Sequence, residues 1–281
     1  MNGVINVYKE KGYTSHDVVA IIRKRLGRVK TGHTGTLDPQ AEGVLPICIG
    51  RATKLADYLM AAEKSYRAQL ILGTTTDTDD HTGQVLSTAP VNYSEAAIQQ
   101  AVAFFEGTYM QMPPMYSALK VNGKKLYQLA REGKTVERKP REVTISRISI
   151  LEINENHIWM DVDCSKGTYI RSLCADIGKK LGCGGCMGDL IRTKSGNFTV
   201  ENASRLDEID SNSIIPVEQA HPAPKAQLIG DTKQAFNGNP LPLSQIKNAA
   251  ELCWLYHEDT LIGLYAIKGE VLKPEVMIYG R

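Results

Sequence analysis

GHTGTLDPQAEGVLP, residues 32–46, brings one histidine, His33, within five residues of one aspartate, Asp38. Gly32, Gly35 and Gly43 surround the pair, and Pro39 and Pro46 follow. Glycine reaches backbone dihedrals that other residues avoid, and a proline after Asp38 pushes that aspartate out of helical geometry. The stretch reads as a shaped loop that presents a carboxylate and an imidazole from a rigid scaffold. The plainer reading makes Asp-Pro an ordinary turn and His33 a polar loop residue. Spacing alone does not choose between the two.

Outward from this loop, the chain is globular in composition. Of its 281 residues, 42% are hydrophobic and 23% charged, which fits a packed chain rather than a disordered one. No run approaches the ~20 apolar residues of a membrane span. The start, MNGVINVYKEKG, lacks the basic and apolar regions of a secretory signal, so a cytoplasmic protein is expected. The six cysteines are scattered and form no disulfide framework. Net charge is only +2, but it is unevenly spread. Residues 23–30, RKRLGRVK, hold five basic residues and no acid. Residues 120–141 hold eight basic residues and two acids. Two such segments on a nearly neutral chain point to a polyanion site. Tyr116 and Tyr127 accompany the second and could stack on bases.

Along the chain, residues 3–8 predict a short strand. Ser15 predicts an N-cap for a helix ending near Gly27. LPICI predicts a buried strand, and residues 51–62 a helix. KSYRAQLILG (64–73) alternates, with Tyr66, Ala68, Leu70 and Leu72 on one face. Ser94 opens another helix, and residues 124–133 a short one on the basic segment. Residues 142–153 and 157–164 predict paired strands. SKGTYIRSLCADIGKKLG predicts a glycine turn, a short strand and a helix. HPAPK (221–225) predicts a proline-rich linker, followed by mostly strands. Without regular βα alternation, the fold class is α+β rather than a doubly wound sheet.

Several tempting motifs fall away. Cys183-Gly-Gly-Cys186 has no second ligand pair for a structural zinc. DTDDHTG has its glycine one place late for a calcium loop, and Thr88 stands where a bidentate glutamate belongs. No phosphate-cradling or dinucleotide motif appears. The expected cofactor complement is none, and the expected metal complement is none.

Four motifs then carry a resemblance. GHTGTLDPQAEGVLPICIGRATK, KSYRAQLILGTTTDTDD, MYSALKVNGKKLYQLAREG and CSKGTYIRSLCADIG resemble, in order and spacing, the bacterial tRNA pseudouridine synthase B (TruB) family. The likeness runs from residue 3 to about 220, and FNGNPL adds a weaker one to that family's small PUA-type RNA-binding domain. The resemblance implies a catalytic domain over 1–222, with a central mixed, mainly antiparallel sheet flanked by helices. It also implies an RNA-binding insertion at about 120–141 and a β-rich PUA-like domain over 226–281.

The activity implied is isomerisation of uridine to pseudouridine at position 55 in the T arm of tRNA. Asp38 matches the family's catalytic aspartate. It could attack the ribose C1′, add to C6 of the ring, or assist a glycal route by proton transfer, and the sequence leaves the three open. Arg171 matches the arginine paired with that aspartate. Tyr66 matches the tyrosine that stacks on the target uracil, and His33 the residue that occupies the place of the extruded base. Tyr169 and Leu190 resemble pocket walls, and Asp77 a residue that helps order the pocket. Lys120, Lys124, Lys125, Arg131 and Lys134 are expected on RNA phosphates. The implied partner is tRNA, bound through its T-arm stem-loop by a monomer, with no membrane and no obligatory protein partner. Two other classes stay in view: a non-catalytic RNA-binding protein, and a glycosylase that releases free base.

Overall fold

A computed structural model describes residues 1–121 and 123–279. They form two compact units. The first comprises Met1–Pro39, Gly43–Ala61 and the segment from Asn197 onward; the second comprises Gln40–Glu42 and Ala62–Gly196.

In the first unit, strand Gly3–Lys9 pairs antiparallel with strand Glu42–Ile49, from Gly3 opposite Ile49 to Lys9 opposite Gly43. Short strand Thr31–His33 also pairs with Glu42–Ile49, placing His33 opposite Ile47. Val4, Ile5, Val7, Val44, Leu45, Ile47, Cys48 and Ile49 are all fully buried, which explains why LPICI reads as a continuous apolar run rather than an alternating one. Helix Ser15–Arg25 buries Val18 and Ile22. Its N-cap is Thr14, one residue earlier than expected. Thr14 and Asp17 form a reciprocal capping box, so Asp17 supplies the acidic third position that the motif wants. That releases the Ser15 hydroxyl for another task. The segment expected as one helix over 51–62 begins as a 3-10 turn, Gly50–Leu55, and continues as helix Ala56–Ala61.

The strand-rich tail belongs to the same unit. Its six strands run in the order Leu241–Pro242, Val271–Met277, Thr260–Lys268, Leu252–His257, Lys225–Leu228, Ile246–Lys247. All pairings are antiparallel except that of Lys225–Leu228 with Leu252–His257. One face encloses its own core around Leu255, Ile262, Tyr265 and Leu272. The other contributes Trp254, Tyr256, Leu264, Val276 and Ile278 to a core shared with Val44, Cys48, Ala52, Leu55 and Leu59. HPAPK is therefore no loose linker. The Trp254 indole donates to the His221 carbonyl at 2.9 Å, and the Trp254 amide to the Pro224 carbonyl at 2.8 Å.

The second unit holds an antiparallel sheet in the order Gly185–Ser195, Lys64–Leu72, His157–Cys164, Arg141–Asn154, Gly107–Gln111. Ala68, Leu70 and Leu72 are buried as the alternation requires. Helices Glu95–Ala103 and Ile170–Leu181 pack on each other and on this sheet. Ser94 caps the first of them as expected. No strand precedes the second: Gly167 turns the chain at φ 82° and Tyr169 is directly its N-cap. Two hairpins project from the unit, Thr74–Thr76 with Val85–Thr88 and Lys120–Val121 with Lys124–Lys125. The α+β class and the mainly antiparallel sheet of the sequence reading are what the structure shows.

Trp254 is the largest fully buried side chain among the described residues. Trp254→Ala is expected to cost about 3–5 kcal/mol of stability and to lower the melting temperature of the whole first unit, measured by calorimetry. A local defect confined to the tail would show instead as a separate early transition.

Candidate active site

Asp38 lies half-buried in an irregular segment of the first unit, and the residues on both sides of it are held by buried polar groups. Ahead of it, the Ser15 hydroxyl accepts from the Leu37 amide at 2.9 Å and donates to the Leu37 carbonyl at 3.2 Å. Behind it, the Pro39 carbonyl accepts from the Gly12 amide at 2.9 Å and from the Lys9 ammonium at 3.2 Å. Lys9 is fully buried at the end of its strand and also donates to the carbonyls of Tyr13 at 2.8 Å and Glu10 at 3.1 Å. An ammonium out of water needs such partners. Farther upstream, the amide and hydroxyl of Thr34 both reach the Pro46 carbonyl at 3.1 Å. Gly35 and Gly43 take φ of 125° and 104°, where a side chain would be strained.

His33 ends its short strand, half-buried. Its Nδ1 accepts from the Gly35 amide at 3.3 Å, which assigns the ring proton of the neutral form to Nε2. The His16 ring meets it edge to face at 5.5 Å.

The other candidates belong to the second unit. Tyr66 sits mid-strand, opposite Val162 on one side and Arg192 on the other. Lys64, two residues away and buried, has its ammonium pulled down to about 8, first by desolvation and then by the Arg192 charge. Leu190 is buried opposite Ala68. The backbone of Tyr169 is clamped by one side chain: Gln111 accepts from its amide at 2.8 Å and donates to its carbonyl at 3.0 Å. Gln111 also donates to the Tyr109 hydroxyl at 2.6 Å.

Arg171 is only 5% exposed. Its guanidinium donates to the Thr78 carbonyl at 3.0 Å and the Tyr116 carbonyl at 2.8 Å, and stands 3.7 Å from an Asp80 carboxylate oxygen. Asp77 is exposed and braces its own hairpin, accepting from the Gln84 amide at 2.7 Å. Asp80 accepts from the Thr82 amide at 3.0 Å and from the Thr78 hydroxyl at 3.0 Å. Asp79 holds a left-handed φ of 61°; burial raises its carboxyl, and Arg171 offsets part of that rise. Asp79 and Asp80 are both electrostatically linked to Arg171. Sequence reasoning named Asp77 and missed Asp80, as it missed Lys9 and Gln111. A lysine ending an apolar strand and a glutamine before Met-Pro-Pro were the available signals.

The described part of the basic segment contains two short paired strands, Lys120–Val121 and Lys124–Lys125, and helix Leu126–Arg131. Lys120, Lys124, Arg131 and Lys134 are exposed and Lys125 is half-buried. Leu126 and Leu129 of helix Leu126–Arg131 are buried beneath them. Lys125 and Arg131 lie 5.5 and 5.6 Å from the Tyr127 ring, and Lys134 pairs with Glu132 at 2.7 Å. Among the described residues no group of three metal-ligating side chains converges, and no helix is long and apolar enough to cross a membrane.

One half-buried acid offers a pH test of this region. Asp176, on helix Ile170–Leu181, is raised to about 6, first by burial and then by the charge of Asp79. The folded state therefore holds a proton that the unfolded chain releases nearer 4, and stability falls as pH rises through that window. Asp176→Asn is expected to gain about 1 kcal/mol at pH 7, discounted for the group's partial solvation, and nothing near pH 4. Urea denaturation at the two pH values measures it.

A family model described as TruB family pseudouridylate synthase, N-terminal domain, matches residues 23–170. One described as tRNA pseudouridylate synthase B C-terminal domain matches residues 171–224. A tRNA pseudouridine synthase B from Alkaliphilus oremlandii is 44% identical over 96% of this chain and 94% of its own. One from Clostridium novyi is 56% identical over 76% of this chain and 74% of its own. Among solved structures, a Cbf5–Nop10–Gar1 complex contains a chain similar at TM-score 0.75 and 30% identity, over 99% of this chain and 85% of that one.

Proposed function

This chain belongs to the TruB family of pseudouridylate synthases and is a tRNA pseudouridine synthase; from that premise we propose that it acts on uridine 55 in the T arm, with Asp38 as the catalytic carboxylate. The observation that carries the proposal is the double clamp on Leu37 and Pro39. A carboxylate whose flanking backbone is fixed loses little entropy when it meets a substrate.

The reaction exchanges one bond for another. The C1′–N1 glycosidic bond breaks, a C1′–C5 bond forms, and the C5 proton leaves as N1 gains one. No oxidation or hydrolysis occurs, so no cofactor is required. Asp38 serves each of three routes: attack on C1′, addition at C6, or proton transfer through a glycal. Before any of them, the uridine leaves its stack, at a cost of about a few kcal/mol. His33, with its ring oriented by Gly35, takes the vacated place and offsets part of that cost. Tyr66 stacks on the uracil and brings a hydroxyl to the sugar. Tyr169 and Leu190 wall the base in, and Asp77 steadies the hairpin beside them. Arg171, its guanidinium aligned by two carbonyls, is the cation assigned as partner to the catalytic carboxylate.

Lys120, Lys124, Lys125, Arg131 and Lys134 bind phosphates of the T arm, and Tyr127 lies among them as a stacking surface. Residues 1–222 do the chemistry, and the β-rich 226–281 extends the RNA footprint. The protein works in the cytoplasm as a monomer without an obligatory protein partner.

Asp38→Asn tests the centre of this reading. It is expected to abolish pseudouridine formation, measured by mass spectrometry of tRNA, while tRNA affinity stays within about threefold because phosphate contacts supply most of it. Pseudouridine from a verified Asp38→Asn protein would remove Asp38 from its role. Free uracil from the wild type would favour a glycosylase, and no product at all a binding protein.

The basic segment has its own test. Alanine at Lys124, Lys125, Arg131 and Lys134 is expected to weaken tRNA binding by tenfold or more near 0.1 M salt, and to flatten the plot of log K against log salt by about 0.9 per lost phosphate contact. An unchanged slope would mean the RNA is held elsewhere.

A further inference from the structure

The first basic stretch, residues 23–30, has no part in the function proposed above, yet the fold assembles it into a surface. Arg23 and Lys24 lie in the last turn of helix Ser15–Arg25. The chain then reverses through Gly27 at φ 75° and Arg28 at φ 65°. The Arg28 amide donates to the Arg23 carbonyl at 2.7 Å, which sets Arg28 back over the helix end. Lys30 follows, and its carbonyl accepts from the Gly50 amide at 2.7 Å. That bond brings in the 3-10 turn Gly50–Leu55, which carries Lys54.

Arg23, Lys24, Arg28, Lys30 and Lys54 are all exposed. None of the five forms an ion pair within the described residues. No acidic residue occurs between Val18 and Leu37. Arg25 differs: it turns to the carbonyls of Leu206 and Ile209 and is part of the scaffold. Cations in a last helical turn complement the helix dipole, which accounts for Arg23 and Lys24. It does not account for Arg28, an arginine in a backbone region that favours glycine, nor for Lys30 and Lys54.

The place of the patch indicates what it meets. Lys30 is three residues before His33, and His33 lies on the strand that starts at Thr31, so the two are about 10 Å apart at ~3.3 Å per residue. Gly32 on the same strand approaches Thr53 of the 3-10 turn; a Cβ there would lie 3.8 Å from the threonine methyl. The five cations thus begin within one or two nucleotides' reach of the residue assigned to the vacated base position.

We propose that Arg23, Lys24, Arg28, Lys30 and Lys54 form a second phosphate-binding surface, which grips the sugar–phosphate backbone of the T arm beside the uridine being modified. This rests on the role of His33 given above. The partner is an RNA backbone, read by charge and spacing rather than by base edges.

The test is a fourfold variant, Arg23→Gln, Lys24→Gln, Arg28→Gln and Lys30→Gln, in the full chain, with an isolated T-arm stem-loop RNA as the probe. Glutamine keeps side-chain length and removes charge. The slope of log K against log salt is expected to flatten by about 3.6, near 0.9 for each of four contacts, with affinity near 0.1 M salt falling tenfold or more and KM rising by the same factor. Unchanged slope and affinity overturn the proposal. So does a loss seen only with full-length tRNA, because the patch would then touch another part of the molecule. Lower thermal stability with unaltered binding assigns the cations to the helix dipole and also overturns it. Should circular dichroism show the fourfold variant unfolded, Arg28→Gln with Lys30→Gln, both outside the helix, carries the same test with half the slope change. A wild type that binds the stem-loop but makes no pseudouridine refutes the proposed function instead, and is read in the same assay without any variant.

Discussion

A fully buried ammonium, that of Lys9, underlies the Asp38 loop. A charge removed from water must be met by hydrogen-bond acceptors or it destabilises the fold. Here the carbonyls of Glu10, Tyr13 and Pro39 accept from it. Two of these belong to the turn that follows its own strand, and the third belongs to the residue after Asp38. The demand of one cation for partners therefore ties the entry to helix Ser15–Arg25 to the exit of the aspartate loop. Ser15 completes the arrangement on the other side of Asp38, and it can do so because Thr14 has taken the capping role. Removing either group would leave polar backbone atoms unpaired in a closed region, which costs more than the hydrogen bond itself contributes.

The second unit repeats this logic with neutral and charged groups. Gln111 spans the amide and carbonyl of Tyr169 at the point where a helix begins without a side-chain cap of its own. Arg171, in the first turn of that helix, directs its nitrogens at the carbonyls of Thr78 and Tyr116. It thereby joins the aspartate-rich hairpin to the loop leading into the basic segment. Its charge is balanced in part by Asp80 and Asp79, and Asp80 is itself fixed by Thr78 and Thr82. A guanidinium with donors aligned in this way keeps one orientation at small entropic cost.

The tail contributes through packing. Trp254 and its neighbours fill a core with Leu55 and Leu59, on the helical turns that follow strand Glu42–Ile49. That strand carries the pairing partner of His33. A region whose composition suggests an appended module is thus part of the hydrophobic core under the histidine's strand. Its positively charged neighbours Lys30 and Lys54 remain outside, in water, where charge is cheap and available to a polyanion.

What the sequence determined by itself was everything written in local period or in contiguous motif. Alternation in KSYRAQLILG placed Ala68, Leu70 and Leu72 inside; the apolar run LPICI announced a strand buried on both faces; Ser94 marked its helix; and four motifs in order identified the family. Gly35 was legible as a bend because only its backbone conformation was at stake, whereas Gly43, read as part of the same loop, lies in strand Glu42–Ile49. The tertiary structure decided which polar groups hold the site together. Ser15 reads locally as a cap, and its real partner is 22 residues away. Lys9 reaches Pro39 across 30 residues, and Gln111 reaches Tyr169 across 58. It also replaced the expected strand before helix Ile170–Leu181 with a glycine turn, and the expected linker at 221–225 with a segment bonded to Trp254. Hydrogen bonds between residues so distant leave no periodic trace in the chain. A buried donor takes whichever carbonyl the folded backbone brings to it, and that choice exists only after the strands and helices have packed.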